Sequence, residues 1–289
     1  MELIYIHGIG EQEPPKKLKQ QYDEALLGRD AGEQTRLAYW ADILHPSRAA
    51  RGLLRGGMDK MDDTDSIVAI ATMPIEELVP DSDEARLFAH KLFERMTQAR
   101  PRDDEDETAE VAVDEPGVAK ALPTEPLRSV VTRVVIKLFI HDVAAYFYEA
   151  DRRADIDSRL EKELTAADRP LVLVSHSLGT VISYEVLHRL GHRIEVPLWI
   201  TLGSPLGMRE VQKHVVRPLQ VPPGVKRWAN FADRRDPVAL DPRLANDFTP
   251  GEKISDHQIK NSYRWRLGWR GAHAALGYLS DPSVQAAVQ

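Results

Sequence analysis

Residues 171–179 read L-V-L-V-S-H-S-L-G, and apolar residues at helical spacing follow as far as Leu190, where Gly191 stops them. Four consecutive apolar residues, Leu171 to Val174, are the pattern of a strand covered on both faces, as in a parallel sheet. A buried strand passing through small residues directly into a helix, expected over about 180–190, predicts a sharp corner with Ser177 at its apex. Working outward, residues 3–6 form a short apolar run ending at His7-Gly8-Ile9-Gly10, which predicts a second buried strand and a tight turn. Pro14-Pro15 then opens a helix with Leu18, Tyr22, Ala25 and Leu26 on one face and Gly28 as its stop. Residues 37–44 (L-A-Y-W-A-D-I-L) are expected to be the next strand, and 198–202 and 227–231 two more. Strand, helix and strand in succession predict βαβ units. The fold class expected is therefore α/β, a mostly parallel sheet flanked by helices.

The middle of the chain breaks this rhythm. Residues 51–57 are rich in glycine and arginine, and 59–65 are acidic. Ala85, Phe88, Ala89, Leu92, Phe93 and Met96 mark one face of an amphipathic helix, and 100–126 carry many acids, four prolines and few large apolar residues. Residues 45–126 are expected to be an insertion forming a helical cap, with 100–126 a mobile arm, inside a single domain spanning 1–289. Helical spacing resumes with Val130, Val131, Val134, Val135, Leu138 and Phe139, and continues through Ile156, Leu160 and Leu164 after a charged break.

Composition excludes several function classes. The 289 residues contain no cysteine, which removes disulfides, thiolate metal sites and cysteine nucleophiles and fits a reducing compartment. A net charge of -7 and no basic stripe argue against nucleic acid as a partner. Residues 130–147 are the most membrane-like stretch, yet they contain Arg133, Lys137, His141 and Asp142, so no transmembrane segment is expected. The start, M-E-L-I-Y-I-H-G, lacks the basic residue and long apolar core of a signal peptide. A cytoplasmic location is the expectation.

The chemistry centres on Ser177. A serine at a strand-to-helix corner holds its hydroxyl above the sheet edge, and the residues two before and two after it must be small because strand and helix crowd there. Ser175 and Gly179 meet that requirement, with serine standing at Ser175 where the G-x-S-x-G pattern has glycine. The following helix aims its partial positive charge and free N–H groups at the same point. The bland alternative is a serine that only caps the helix.

With these residues in view, the chain resembles the α/β-hydrolase superfamily, and in particular its lipase-like and esterase-like members. The resemblance rests on H-G-I-G after the first strand, S-H-S-L-G, L-G-S-P-L-G at 202–207, D-R-R-D-P-V-A at 233–239 and G-A-H-A-A-L-G-Y-L at 271–279. These motifs occur in the family's order over residues 2–10 and about 168–280, leaving the insertion outside the match. The resemblance implies an N-terminally trimmed version of the fold, lacking the family's two leading strands. It also implies a serine hydrolase that cleaves an ester of a small molecule or lipid through an acyl-enzyme, with catalytic residues in the order serine, acid, histidine.

A serine hydroxyl needs a base within hydrogen-bond reach, and histidine suits that role. His257 and His273 both follow an acid. His273 is favoured because small residues surround it and because it matches the family's terminal histidine, whereas His257 lies in the polar stretch S-D-H-Q. For the acid, Asp236 precedes a proline at a strand end and matches the family's acid position; Asp233 is its main competitor and Asp241 a weaker one. The oxyanion is expected to meet the N–H groups of Leu178, next to the nucleophile, and Ile9, with Gly10 close behind. His7 is expected to orient that loop, and His176 to pack on the sheet.

Three other readings were weighed. A dinucleotide fingerprint fails because Glu13 stands at the third glycine position and the prolines postpone the helix. A metal hydrolase built on His188 and His192 lacks H-E-x-x-H, so no metal or organic cofactor is expected for the reaction. The stronger rival is a non-catalytic α/β-hydrolase-like binding or scaffold protein.

Overall fold

A computed structural model describes residues 2–46, 69–98, 127–167, 170–263 and 271–289. Its elements are β1 (Glu2–Ile6), α1 (Pro15–Leu27), β2 (Thr35–Ala38), α2 (Ala41–Leu44), α3 (Asp83–Gln98), α4 (Leu127–Tyr148) and α5 (Ala150–Thr165). They continue as β3 (Leu171–His176), α6 (Leu178–Leu190), β4 (Val196–Leu202), α7 (Arg209–Gln212), β5 (Val225–Asp233), β6 (Ile254–Ile259), α8 (Ala275–Leu279) and α9 (Pro282–Ala287).

The six strands form one sheet in the order β2-β1-β3-β4-β5-β6, and every pair is parallel. This is an α/β fold, as expected, and it is compatible with the α/β-hydrolase type. The apolar runs explain it directly. Side chains alternate across a strand, so Leu3, Tyr5, Val172 and Val174 pack with Leu18, Tyr22 and Leu26 of α1 and with Tyr278 and Leu279 of α8. Ile4, Ile6, Leu171 and Leu173 face the other way, into a larger core shared with Leu92 of α3, Phe139 of α4, Leu160 of α5 and Ile182 of α6. A strand covered on both faces has no room for polar alternation, which is why β3 reads as an uninterrupted apolar run.

Topology fixes where a site can lie. From β1 the chain moves to β2 on one side and later returns to β3 on the other, so the strand order reverses at β1. In register, Ile6 lies opposite Ser175. In an open α/β sheet ligands usually bind at the carboxyl ends of the strands flanking such a reversal, here β1 and β3. His7-Gly8-Ile9 and Ser177 lie at those ends, packed so closely that a Cβ on Gly8 would stand 2.8 Å from Ser177 Cβ.

Several local expectations are corrected. Residues 37–44 are not one strand: β2 ends at Ala38, and Ala41–Leu44 form one helical turn. The cause is His7, whose Nε2 accepts the N–H groups of Trp40 and Ala41 at 3.0 and 3.3 Å and draws the chain off the sheet edge. The helix after β3 begins at Leu178 rather than Thr180. β6 was not anticipated, because its I-S-D-H-Q-I has exposed polar residues between buried ends, as an edge strand does.

Of the insertion expected at 45–126, the described residues are 45–46 and 69–98; the Gly/Arg-rich and acidic stretches and the arm at 100–126 lie outside them. The apolar face of α3 packs into the core. Ala85, Phe88, Ala89, Leu92 and Met96 are buried, and Phe88 stacks edge-on with Phe147 of α4 and with His214. Among the described residues, no helix is long and apolar enough to cross a membrane.

Leu173 has no exposed surface at the centre of the sheet. Leu173→Ala is expected to lower unfolding free energy by about 3 kcal/mol, read from the midpoint of a urea transition at unchanged slope.

Candidate active site

The corner after β3 has the strain that its position demands. Ser177 has φ 55° and ψ -128°, and it alone among the described non-glycine residues has positive φ. Such a backbone costs about 1–3 kcal/mol and persists only where its surroundings dictate it. Here Ser177 N–H donates to the Leu202 carbonyl at 2.9 Å, and the Ser177 carbonyl accepts Thr180 N–H and Oγ1 at 2.9 and 2.8 Å. A Cβ on Gly179 would stand 2.6 Å from the His7 carbonyl oxygen and 3.0 Å from that of Ile6, so only glycine lets α6 approach β1 this closely. Ser175 is tolerated because its hydroxyl has partners: it accepts Trp199 Nε1–H at 2.9 Å and lies 2.8 Å from Ser183 Oγ.

Residues 96 and 37 positions apart in sequence meet here. Ser177 Oγ is 2.7 Å from His273 Nε2, and His273 Nδ1 is 2.7 Å from Asp236 Oδ2. All three side chains are buried. Asp236 Oδ2 also accepts the Tyr278 hydroxyl at 2.7 Å, while Oδ1 accepts Val238 N–H at 2.8 Å and Ala239 N–H at 3.3 Å. Those donors fix the carboxylate with one lone pair turned to the imidazole. Asp233 lies elsewhere. Its carboxylate binds Arg235 Nε at 3.0 Å and Asn261 N–H at 2.7 Å. Among the described residues the Asp241 carboxylate accepts only Arg243 N–H, at 3.2 Å, and His257 stacks on Phe231 on the exposed face of β6. His188 Nε2 is 3.1 Å from the Gln220 carbonyl oxygen and does not converge with His192 on a carboxylate.

Beside Ser177, the loop after β1 is held peptide by peptide. His7 Nδ1–H donates to the Gly8 carbonyl at 2.8 Å, and Nε2 is the acceptor for Trp40 and Ala41. The ring stacks on Trp40 at 4.6 Å. Burial holds its pKa down at about 4, so the neutral ring with both nitrogens committed is the resting form. In a trans peptide the N–H points opposite to the C=O, so fixing the Gly8 carbonyl also fixes the direction of Ile9 N–H. Gln12 Nε2–H holds the Ile9 carbonyl at 2.7 Å. Gly10 N–H, weighed as a second oxyanion donor, is instead committed to Asp142 Oδ2 at 2.6 Å. The N–H groups of Ile9 and Leu178 have no acceptor among the described residues.

Three contributors escaped the sequence reading. His176 does not merely pack on the sheet: Nε2–H donates to the His273 carbonyl at 2.9 Å, and its ring lies 4.8 Å from that of His273. Burial first, then the neighbouring His273, keeps His176 well below the usual imidazole range and therefore neutral. Tyr278 bridges the two acids, accepting Asp233 N–H at 3.0 Å while donating to Asp236. Gly203 has φ +58°, and a Cβ there would lie 2.7 Å from Asp236 Oδ2 and 3.1 Å from His273 Nδ1. Gly203 and Tyr278 stand inside the quoted motifs, but only folding puts them against the acid.

No family model, curated protein or solved structure matches this chain.

Two outcomes follow from the packing. Gly203→Ala forces both a strained backbone and a methyl group between acid and imidazole; a shift of the His273 ring resonances by NMR, in a protein that stays folded, is expected. His7 carries a linkage effect: its native pKa lies below its unfolded value, so between pH 6.5 and 4 the unfolded chain binds more protons and stability falls as the pH falls. His7→Asn, which keeps a donor for the Gly8 carbonyl, is expected to remove about 2 kcal/mol of that acid sensitivity in denaturant titrations at pH 7 and pH 4.5.

Proposed function

We propose that the chain is a serine hydrolase of the α/β-hydrolase type, acting on an ester of a small molecule or lipid through an acyl-enzyme. The observation that carries this reading is the unbroken run of 2.7 Å contacts from Ser177 Oγ through His273 to Asp236, at the sheet's topological switch. In the attack step His273 Nε2 takes the Ser177 proton as Oγ bonds to the carbonyl carbon. The charge gained by the imidazole is met by Asp236 at Nδ1, which also fixes the tautomer that leaves Nε2 free to accept. The oxyanion is met by Leu178 N–H, at the positive end of α6, and by Ile9 N–H, aimed by the His7-held peptide. When the tetrahedral adduct collapses, His273 returns the proton to the leaving alcohol. It then activates water against the acyl-enzyme by the same path.

His176 and Tyr278 act through other residues. His176 holds the backbone of the base, and Tyr278 lowers the freedom of the acid. His176 stays neutral beside an imidazole that becomes charged, so no like-charge repulsion opposes the attack.

The rival reading is a ligand-binding protein without turnover. Ser177 has no exposed surface, and His273 only 1%. On either reading the site has to open before a small molecule reaches Oγ.

A fluorophosphonate probe separates the two. Wild type is expected to be labelled and to hydrolyse short acyl esters, and Ser177→Ala to do neither. Asp236→Asn is expected to lower kcat by roughly 10³-fold or more while the fold persists. Absence of labelling in well-folded wild type would overturn the hydrolase reading. A panel of acyl esters of increasing chain length would identify the substrate class.

A further inference from the structure

Behind the loop after β1 lies a second group of chemically able side chains that the hydrolase reading does not use. His45 directly follows α2, and His141 and Asp142 lie on α4, almost a hundred residues later. His45 Nε2 is 3.0 Å from Asp142 Oδ1, and His141 Nδ1 is 2.6 Å from the same oxygen. The three donor atoms all lie within 4.8 Å of one another. We propose that His45, His141 and Asp142 form a binding site for one divalent transition-metal ion of the zinc class.

Geometry and donor chemistry support this together. A zinc ion about 2.0–2.2 Å from each donor requires donor atoms roughly 3–3.5 Å apart, so the two imidazoles need to move by less than about 1 Å. Two imidazole nitrogens and one carboxylate oxygen suit zinc and its neighbours, whereas magnesium and calcium favour oxygen sets. Asp142 is fully buried, a position in which a carboxylate requires a positive partner, and both imidazoles turn a nitrogen toward it. Its other oxygen accepts Gly10 N–H at 2.6 Å, an outer contact of the kind that orients a ligating carboxylate. The His141 side chain keeps 18% of its surface exposed, which gives an ion a way in. Three protein donors leave a fourth position for water.

The consequence is mechanical. A bound ion would tie α2 to α4 and, through Asp142, to Gly10, the neighbour of Ile9. The site is separate from Ser177, His273 and Asp236, so it stands or falls independently of the hydrolase reading.

The test uses full-length protein stripped with a chelator and titrated with zinc chloride, followed by calorimetry and thermal unfolding. One ion per chain and a Tm that rises with zinc concentration are expected. Magnesium and calcium should give neither. Cobalt(II) should give visible d–d absorption that zinc displaces. His141→Gln, at a partly exposed position, and His45→Gln should each weaken zinc binding at least tenfold, with circular dichroism confirming the fold. Folded wild type that binds zinc more weakly than about 100 μM overturns the proposal. So does zinc binding of undiminished strength in both variants, which would place the ion at other histidines.

Discussion

At Ser177 a non-glycine residue is held at positive φ between the central strand and a helix, and much of the structure is arranged around keeping it there. The strain is offset by contacts from three directions. Leu202 at the end of β4 receives the Ser177 N–H, Thr180 in the first turn of α6 binds its carbonyl, and the carbonyl oxygens of Ile6, at the end of β1, and His7, just after it, press against Gly179. Each contact needs β3 flanked by parallel neighbours ending at the same level. The all-parallel sheet is thus the condition for the corner, and its two apolar faces are the condition for the sheet.

The same constraint organises the groups around Ser177. Parallel strands deliver their carboxyl ends to one edge, so the loops after β1, β3, β4 and β5 converge although their residues are far apart in sequence. β4 contributes Gly203, β5 leads to Asp236, and the approach to α8 brings His273. Nearly every polar atom in this convergence has a buried partner, which low dielectric makes worthwhile and which an unpaired group there would penalise. Two buried histidines, His7 and His176, stay neutral and serve as fixed hydrogen-bond struts. One acid is reserved for the imidazole, while Asp233, only three residues away, is occupied by Arg235 and Asn261.

Much of this was legible beforehand, for identifiable reasons. Leu171 to Val174 revealed a two-face buried strand because no other short apolar run fits between a polar linker and a serine corner. Asp236 and His273 could be preferred because, beside the local cues of a proline and small residues, they stand where the resemblance implies an acid and a histidine. The strand expected at 37–44 failed because the period of its side chains is overridden by the two N–H groups that His7 captures. β6 escaped because an edge strand needs few apolar residues. Gly10 was weighed as an oxyanion donor because nothing local shows that a carboxylate 132 residues later takes its N–H.

The sequence by itself determined the α/β class, the corner at Ser177 and the short list of acids and bases, since each depends on local periodicity, residue size or chain order. Only the tertiary structure decided which acid faces which histidine, which N–H groups remain without an acceptor among the described residues, and that His45 and His141 meet at one oxygen of Asp142. Those are questions of direction between distant segments. Direction is set by how helices pack across a twisted sheet, and no window of sequence contains that information.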